Sequence, residues 1–136
     1  MSDVATFRIP MHRGGRLVSL EAVLDVVDSA GLEWHLTDLE AIAKKDSDLD
    51  VVQLENDVHG RPGGLLLTDA ALRLLAAEVD QIIDCQILGV PQGESIDADV
   101  ADVLDIVAFD STEWILRVGT RQRGRLNHSS SLLRER

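Results

Sequence analysis

The sequence contains no tyrosine, one cysteine, three prolines and only four aromatic side chains, Phe7, Trp34, Phe109 and Trp114. A lone Cys85 excludes an internal disulfide and fits a reducing compartment. So few aromatics argue against an aromatic-rich binding surface or a base-stacking platform. Lysine is scarce too: only Lys44 and Lys45 accompany the arginines, which reads as GC-rich coding of a bacterial kind. No apolar run reaches the roughly 18 residues that a membrane helix requires. The start, Met1-Ser2-Asp3-Val4-Ala5, lacks the basic and apolar segments of a signal peptide. Together these absences predict a cytoplasmic protein without membrane association.

What is present suffices for one core. A chain of 136 residues with 45% apolar side chains has the size of a single domain that needs neither metal nor disulfide staples. The formal net charge of −11 is unevenly spread. Residues 1–116 carry 7 basic and 23 acidic side chains, whereas six arginines and one acid, Glu135, follow from Arg117 onward. An acidic body repels nucleic acid and anionic membrane, and it steers basic partners over distance. Acidity of this kind also keeps a protein soluble.

Hydrophobic periodicity predicts an α+β fold, with one central mixed or mostly antiparallel sheet covered by about three helices. Ala5, Phe7 and Ile9 alternate with polar residues in a strand ended by Pro10. After the His12-Arg13-Gly14-Gly15 loop, Ser19 caps a helix with Leu20, Val23, Leu24 and Val27 on one face, and Gly31 is a left-handed stop. Leu32, Trp34 and Leu36 mark a second strand. Thr37 and Glu40 have capping-box spacing for a short helix through Ala43. Val51 to Glu55 reads as a strand, Asn56 to Gly64 as a loop, and Leu65 to Leu67 as a short strand.

Thr68 caps the clearest helix, with Leu72, Leu75, Ala76, Val79 and Ile82 or Ile83 on one face. Cys85 to Val90 is a buried strand. Ser95 caps a further helix, with Ile96, Val100, Val103 and Leu104 inward and Asp97, Asp99, Asp102 and Asp105 outward or flanking. Ile106 to Phe109 and Glu113 to Val118 are two strands, or one strand interrupted at Asp110-Ser111-Thr112. The domain is thus residues 1–118, and residues 119–136 form an Arg- and Ser-rich mobile tail.

Chemistry-bearing patterns are sparse. Asp46, Asp48 and Asp50 imitate the first ligands of a calcium loop, but Val51 stands where glycine is required and Asp57 where glutamate is usual, so a charged surface turn is the reading. Arg61, Gly63 and Gly64 can offer a guanidinium and backbone N–H groups to an anion, although Walker-type spacing is absent. Cys85, flanked at two-residue spacing by Ile83 and Ile87, reads as a small hydrophobe. The four histidines, His12, His35, His59 and His128, show no metal-ligand spacing. Ser95 lacks the second glycine of a nucleophile elbow. No catalytic residue, cofactor or metal site is predicted. Arg121-Gln122-Arg123-Gly124-Arg125 invites a nucleic-acid reading, yet a tail folded back on its own acidic surface explains it better.

One order of segments is familiar. Phe7-Arg8-Ile9-Pro10 precedes a glycine turn and a Leu/Val-rich helix, then a tryptophan on the second strand. Later come Asp84-Cys85-Gln86-Ile87-Leu88 and Phe109-Asp110-Ser111-Thr112-Glu113-Trp114. This order resembles small uncharacterised bacterial domain families that include immunity-type proteins of polymorphic toxin systems. The resemblance implies a stoichiometric binder whose acidic surface complements a basic, toxin-like protein, and it transfers no catalytic residue. The expected binding surface is Asp97, Asp99, Asp102 and Asp105, with Trp114 as aromatic anchor. Two other classes remain: a small enzyme with a site assembled from dispersed His and Asp residues, and a self-assembling accessory protein that forms a homodimer.

Overall fold

The computed structural model describes residues 4–94 and 97–133. Six strands form one antiparallel sheet: β1 (Val4–Pro10), β4 (Leu32–Ala43), β5 (Leu65–Leu67), β6 (Val79–Pro91), β7 (Leu104–Phe109) and β8 (Glu113–Gly119). Their order across the sheet is β1-β8-β7-β6-β4-β5, and every pair in it is antiparallel. A small hairpin of β2 (His12–Arg13) and β3 (Arg16–Leu17) turns at Gly14 and Gly15. Three α-helices accompany the sheet: α1 (Leu20–Leu24), α2 (Val51–His59) and α3 (Asp69–Glu78). The fold is α+β, as the periodicity predicts.

Register sorts the side chains into two faces. One row runs Leu36, Ile87, Ile106, Leu116, Phe7, and the next runs Leu39, Cys85, Ala108, Trp114, Ile9. These rows join Leu20, Val23 and Leu24 of α1 and Leu72, Leu75 and Ala76 of α3 in one core. Trp34 lies within that layer, and its indole crosses β6 at Gly89, where an added Cβ would stand 2.8 Å from the ring. Its Nε1–H reaches the Asp69 carboxylate at 3.1 Å, pinning α3 to β4. Residues of opposite parity, among them His35, Leu88, Asp105, Arg117 and Thr6, line the other face. Val90, Ala101 and Ile115 are buried on that side yet stand outside the main core.

Several elements depart from the sequence reading. The helix expected from Thr37 to Ala43 is instead the second half of β4. Its residues also alternate, and the long partner β6 supplies a hydrogen-bonding ladder along its length. The strand expected at Val51–Glu55 is the start of α2: Asp50 caps it by accepting the Gln53 N–H at 3.0 Å, and Val58 is buried one turn beyond Leu54. Glu55 then accepts the Ala41 N–H at 3.1 Å, capping the edge of β4 beyond its pairing with β5. Val79 and Ile82 belong to β6 rather than to α3.

The helix expected from Ser95 is a turn followed by one 3-10 turn, Val100–Asp102, in which Asp99 caps the Ala101 N–H. Ser95 and Ile96 themselves lie outside the described residues. The segment Asp110-Ser111-Thr112 joins two separate strands in a hairpin.

The largest departure concerns the C-terminal segment. Its described part, residues 119–133, does not stand off from the domain as a tail. Thr120–Arg125 forms a 3-10 helix, and Leu126 bridges to Val27 and is buried in the core. Arg125 donates to the Asp28 and Ala30 carbonyls at 2.9 and 2.6 Å, and the buried Gln122 donates to the Asp102 carbonyl at 2.8 Å. Arg121 and Arg125 cap carboxylates and carbonyls of the body, and Leu126, Leu132 and Leu133 bury apolar surface.

Candidate functional site

The helices leave one face of the sheet without a cover. At one end of it the turn containing Val100–Asp102 folds over the sheet so closely that a Cβ on Gly119 would collide with the Ala101 backbone. Elsewhere the face is partly exposed: Arg8, Leu66 and Arg117 reach solvent, whereas Ile115 and Val90 are buried. Across its middle runs a polar chain: Thr37 donates to Gln86 at 2.9 Å, and Gln86 and Arg117 both reach Asp105 at 3.4 Å. Arg8 pairs with Glu113 at 2.9 Å. Leu66, Leu88, Val107 and Ile115 interleave with these groups, so the face is striped rather than uniformly polar. On the same face, His35 Nε2 is shut from solvent with no hydrogen-bond partner.

Phe109 marks the far end of this face and is 57% exposed. It continues the β6–β7 register one step past Cys85–Ala108, beside Asp84. Asp84 in turn lies directly opposite Glu40 on β4, a like-charge pairing that opposes sheet formation. The turn after Phe109 places Asp110 and Ser111 at φ of 51° and 59°, a left-handed conformation uncommon outside glycine. Two hydrogen bonds to β6 hold it: Asp110 N–H to Asp84 at 2.8 Å and Ser111 N–H to the Ile83 carbonyl at 2.9 Å. The backbone is thereby fixed with the exposed Phe109 at the strand position next to Asp84 and Asp110, and Glu40 one strand further on. Among the described residues, no Lys or Arg pairs with these three carboxylates.

The expected binding residues fare differently. Trp114 is 1% exposed on the core face of β8, and its Nε1–H donates to the Val18 carbonyl at 2.8 Å, so it is a core residue and no surface anchor. Asp99 and Asp102 are engaged by Arg121, at 3.7 and 2.9 Å, and the acidic run is therefore largely answered by the arginines that follow it. These carboxylates raise the Arg121 pKa, with the Asp102 hydrogen bond the largest cause. Asp97 is exposed in the turn. Asp105 is a strand residue on the open face. Burial pushes its carboxyl up, and the contacts with Gln86 and Arg117 offset this only in part. The structure brings Asp99, Asp102 and Asp105 into one region and separates them from Trp114.

Arg61 is exposed and unpaired among the described residues, in the loop proposed for an anion. Gly64 there serves a structural purpose: at φ 79° it lies against β4, where a Cβ would run into the Leu36 carbonyl. Its N–H is spent on the Arg61 carbonyl at 2.9 Å.

The histidines occupy separate places. His12 lies on β2 and His35 on β4, His59 bonds Asp38 at 2.9 Å, and His128 faces the Phe7 ring. Among the described residues no group of three or more His, Cys, Asp or Glu gathers to hold a metal ion, and no helix is long and apolar enough to cross a membrane. Cys85 is wholly buried, and desolvation pushes its thiol up to about 12, which keeps it un-ionised near neutrality.

Sequence reasoning missed Phe109 as the exposed aromatic. The signal was local: Asp110-Ser111 is turn-forming, and a residue beside a hairpin turn faces whichever side the register dictates. Compared with family models, curated proteins and solved structures, the chain matches none.

Proposed function

We propose that this protein is a binding module for a basic protein partner, in the manner of an immunity-type protein, and that it docks through the uncovered face of its sheet. The observation that carries this reading is Phe109, held exposed beside a left-handed turn and near carboxylates that no Lys or Arg pairs with among the described residues. An aromatic side chain of this kind is a typical anchor at protein interfaces, and the surrounding carboxylates steer and orient a cationic surface. The net charge of −11 acts in the same direction over longer range.

The test is capture of a partner by the full chain at low and high salt, comparing wild type with Phe109→Asp and with Leu74→Asp. Leu74 is more exposed still, at 70%, but sits on α3, away from the open face. A basic protein retained at low salt, released at high salt, weakened about 30-fold by Phe109→Asp and unaffected by Leu74→Asp is the expected result. Recovery of no basic protein, or equal losses in the two variants, would overturn the reading.

A further inference from the structure

At the opposite end of the open face from Phe109 lies a groove of about 280 Å³, lined by Val4, Leu88, Ala98, Val100, Val103, Asp105 and Arg117. The 3-10 turn forms one wall and the sheet forms the floor. Val100 on the rim is 50% exposed, although it is a large apolar residue. The Asp105 side chain is only 15% exposed. Its side-chain partners Gln86 Nε2 and Arg117 Nη1 both stand at 3.4 Å, the outer limit of a useful charge-assisted contact. Burial has already pushed this carboxyl up, so its charge is incompletely compensated.

The chemistry of such a groove is specific. Apolar walls favour an aliphatic stem, while a poorly satisfied carboxylate on the floor favours a cationic head with hydrogen-bond donors. Lysine and arginine combine both. Asp99 and Asp102 are engaged by Arg121, and the carboxylate that lines the groove is Asp105, which Arg117 reaches only at 3.4 Å. Arg117 is 47% exposed and reaches Asp105 only at long range, which makes it a placeholder that an incoming cation can displace.

We propose that this groove receives a lysine or arginine side chain of the partner, with its stem along Leu88, Val100 and Val103 and its charged head on Asp105. The proposal rests on the sheet-face reading above and names the partner chemistry at that face. Asp105 and Phe109 lie on the same strand four residues apart, so a partner presenting a cationic residue and an apolar pocket about 13 Å apart would engage both ends.

The groove can be tested without the partner. Backbone amide shifts of the full chain are followed by NMR on titration with Nα-acetyl-lysine methylamide and with its Nε-acetylated counterpart, which keeps the stem and removes the charge. Saturable shifts at residues 88, 100–105 and 117 are expected for the charged compound only. Asp105→Asn should weaken binding roughly 10-fold, and Arg117→Gln should strengthen it. Val100→Lys, a substitution at an exposed rim position, should abolish binding while leaving the remaining spectrum intact. No saturable shift up to ~0.1 M, equal shifts from both compounds, or no effect of Asp105→Asn and Val100→Lys would overturn the proposal. Failure here combined with Phe109-dependent capture of a basic protein removes the groove alone. Binding here without any captured basic protein removes the sheet-face reading instead.

Discussion

The two faces of the one sheet carry opposite kinds of side chain and answer to different constraints. On the covered face Trp34, Trp114, Leu36 and Ile87 are closed off by α1, α3 and the C-terminal segment, and both indole N–H groups find acceptors. On the open face Phe109 is exposed, Glu40 faces Asp84, and Asp105 is partly buried with partners at 3.4 Å. The first arrangement lowers the energy of the fold. The second includes like-charge opposition and a left-handed turn, which work against it, and such local conflict is where interaction sites are expected.

Paired substitutions break this contrast most strongly. Trp114→Ala should lower stability by about 3–5 kcal/mol, because a large cavity opens and the Val18 carbonyl loses its donor. Phe109→Ala on the opposite face should change it by less than about 0.5 kcal/mol. Denaturant unfolding of the two variants side by side measures both, and comparable losses would mean that the faces do not differ as described.

Next in size is Leu126→Ala. If the segment after β8 closes the covered face, the substitution should cost about 2 kcal/mol or more. An unchanged unfolding midpoint would return this segment to the status of a tail.

A smaller effect than at Leu126 is expected at Asp105, and its sign is defined by pH. Its folded pKa lies above the ordinary value of 3.8 because burial disfavours the carboxylate. The ionised group therefore penalises the fold at neutral pH, and the penalty is absent below the unfolded value, where both states are protonated. Asp105→Asn should be slightly more stable than wild type at pH 7, by less than about 1 kcal/mol, with the gap closing as pH falls through the acidic range. Urea midpoints across pH provide the measurement, and a gap that widens on acidification would refute the assignment.

Much of the architecture was readable from residue order. Alternation placed β1, the first half of β4, β7 and β8, and the hydroxyls of Ser19 and Thr68 marked helix starts because they accept orphan N–H groups. The errors share a physical cause. Thr37–Ala43 and Val51–Glu55 satisfy helical and extended patterns about equally, and the choice is made by what lies alongside: β6 for the first, the edge of β4 for the second. The binding surface was harder to read for a related reason. Trp114 and Phe109 are both strand aromatics beside acids, and nothing local to either tells which face it occupies.

Charge told a similar story. The excess of carboxylates and the clustering of arginines after Arg117 belong to the sequence alone, as does the single thiol that excludes a disulfide. Folding decided which carboxylates meet a cation. Arg121 reaches Asp99 and Asp102 because the 3-10 turn and the segment after β8 pack together at the same end of the sheet. Glu40, Asp84 and Asp110 gather at the other end with no Lys or Arg paired to them among the described residues. Composition sets how many charges a chain must carry, but a charge is compensated only over a few ångströms, and distances of that order between residues far apart in sequence exist only once the sheet has formed.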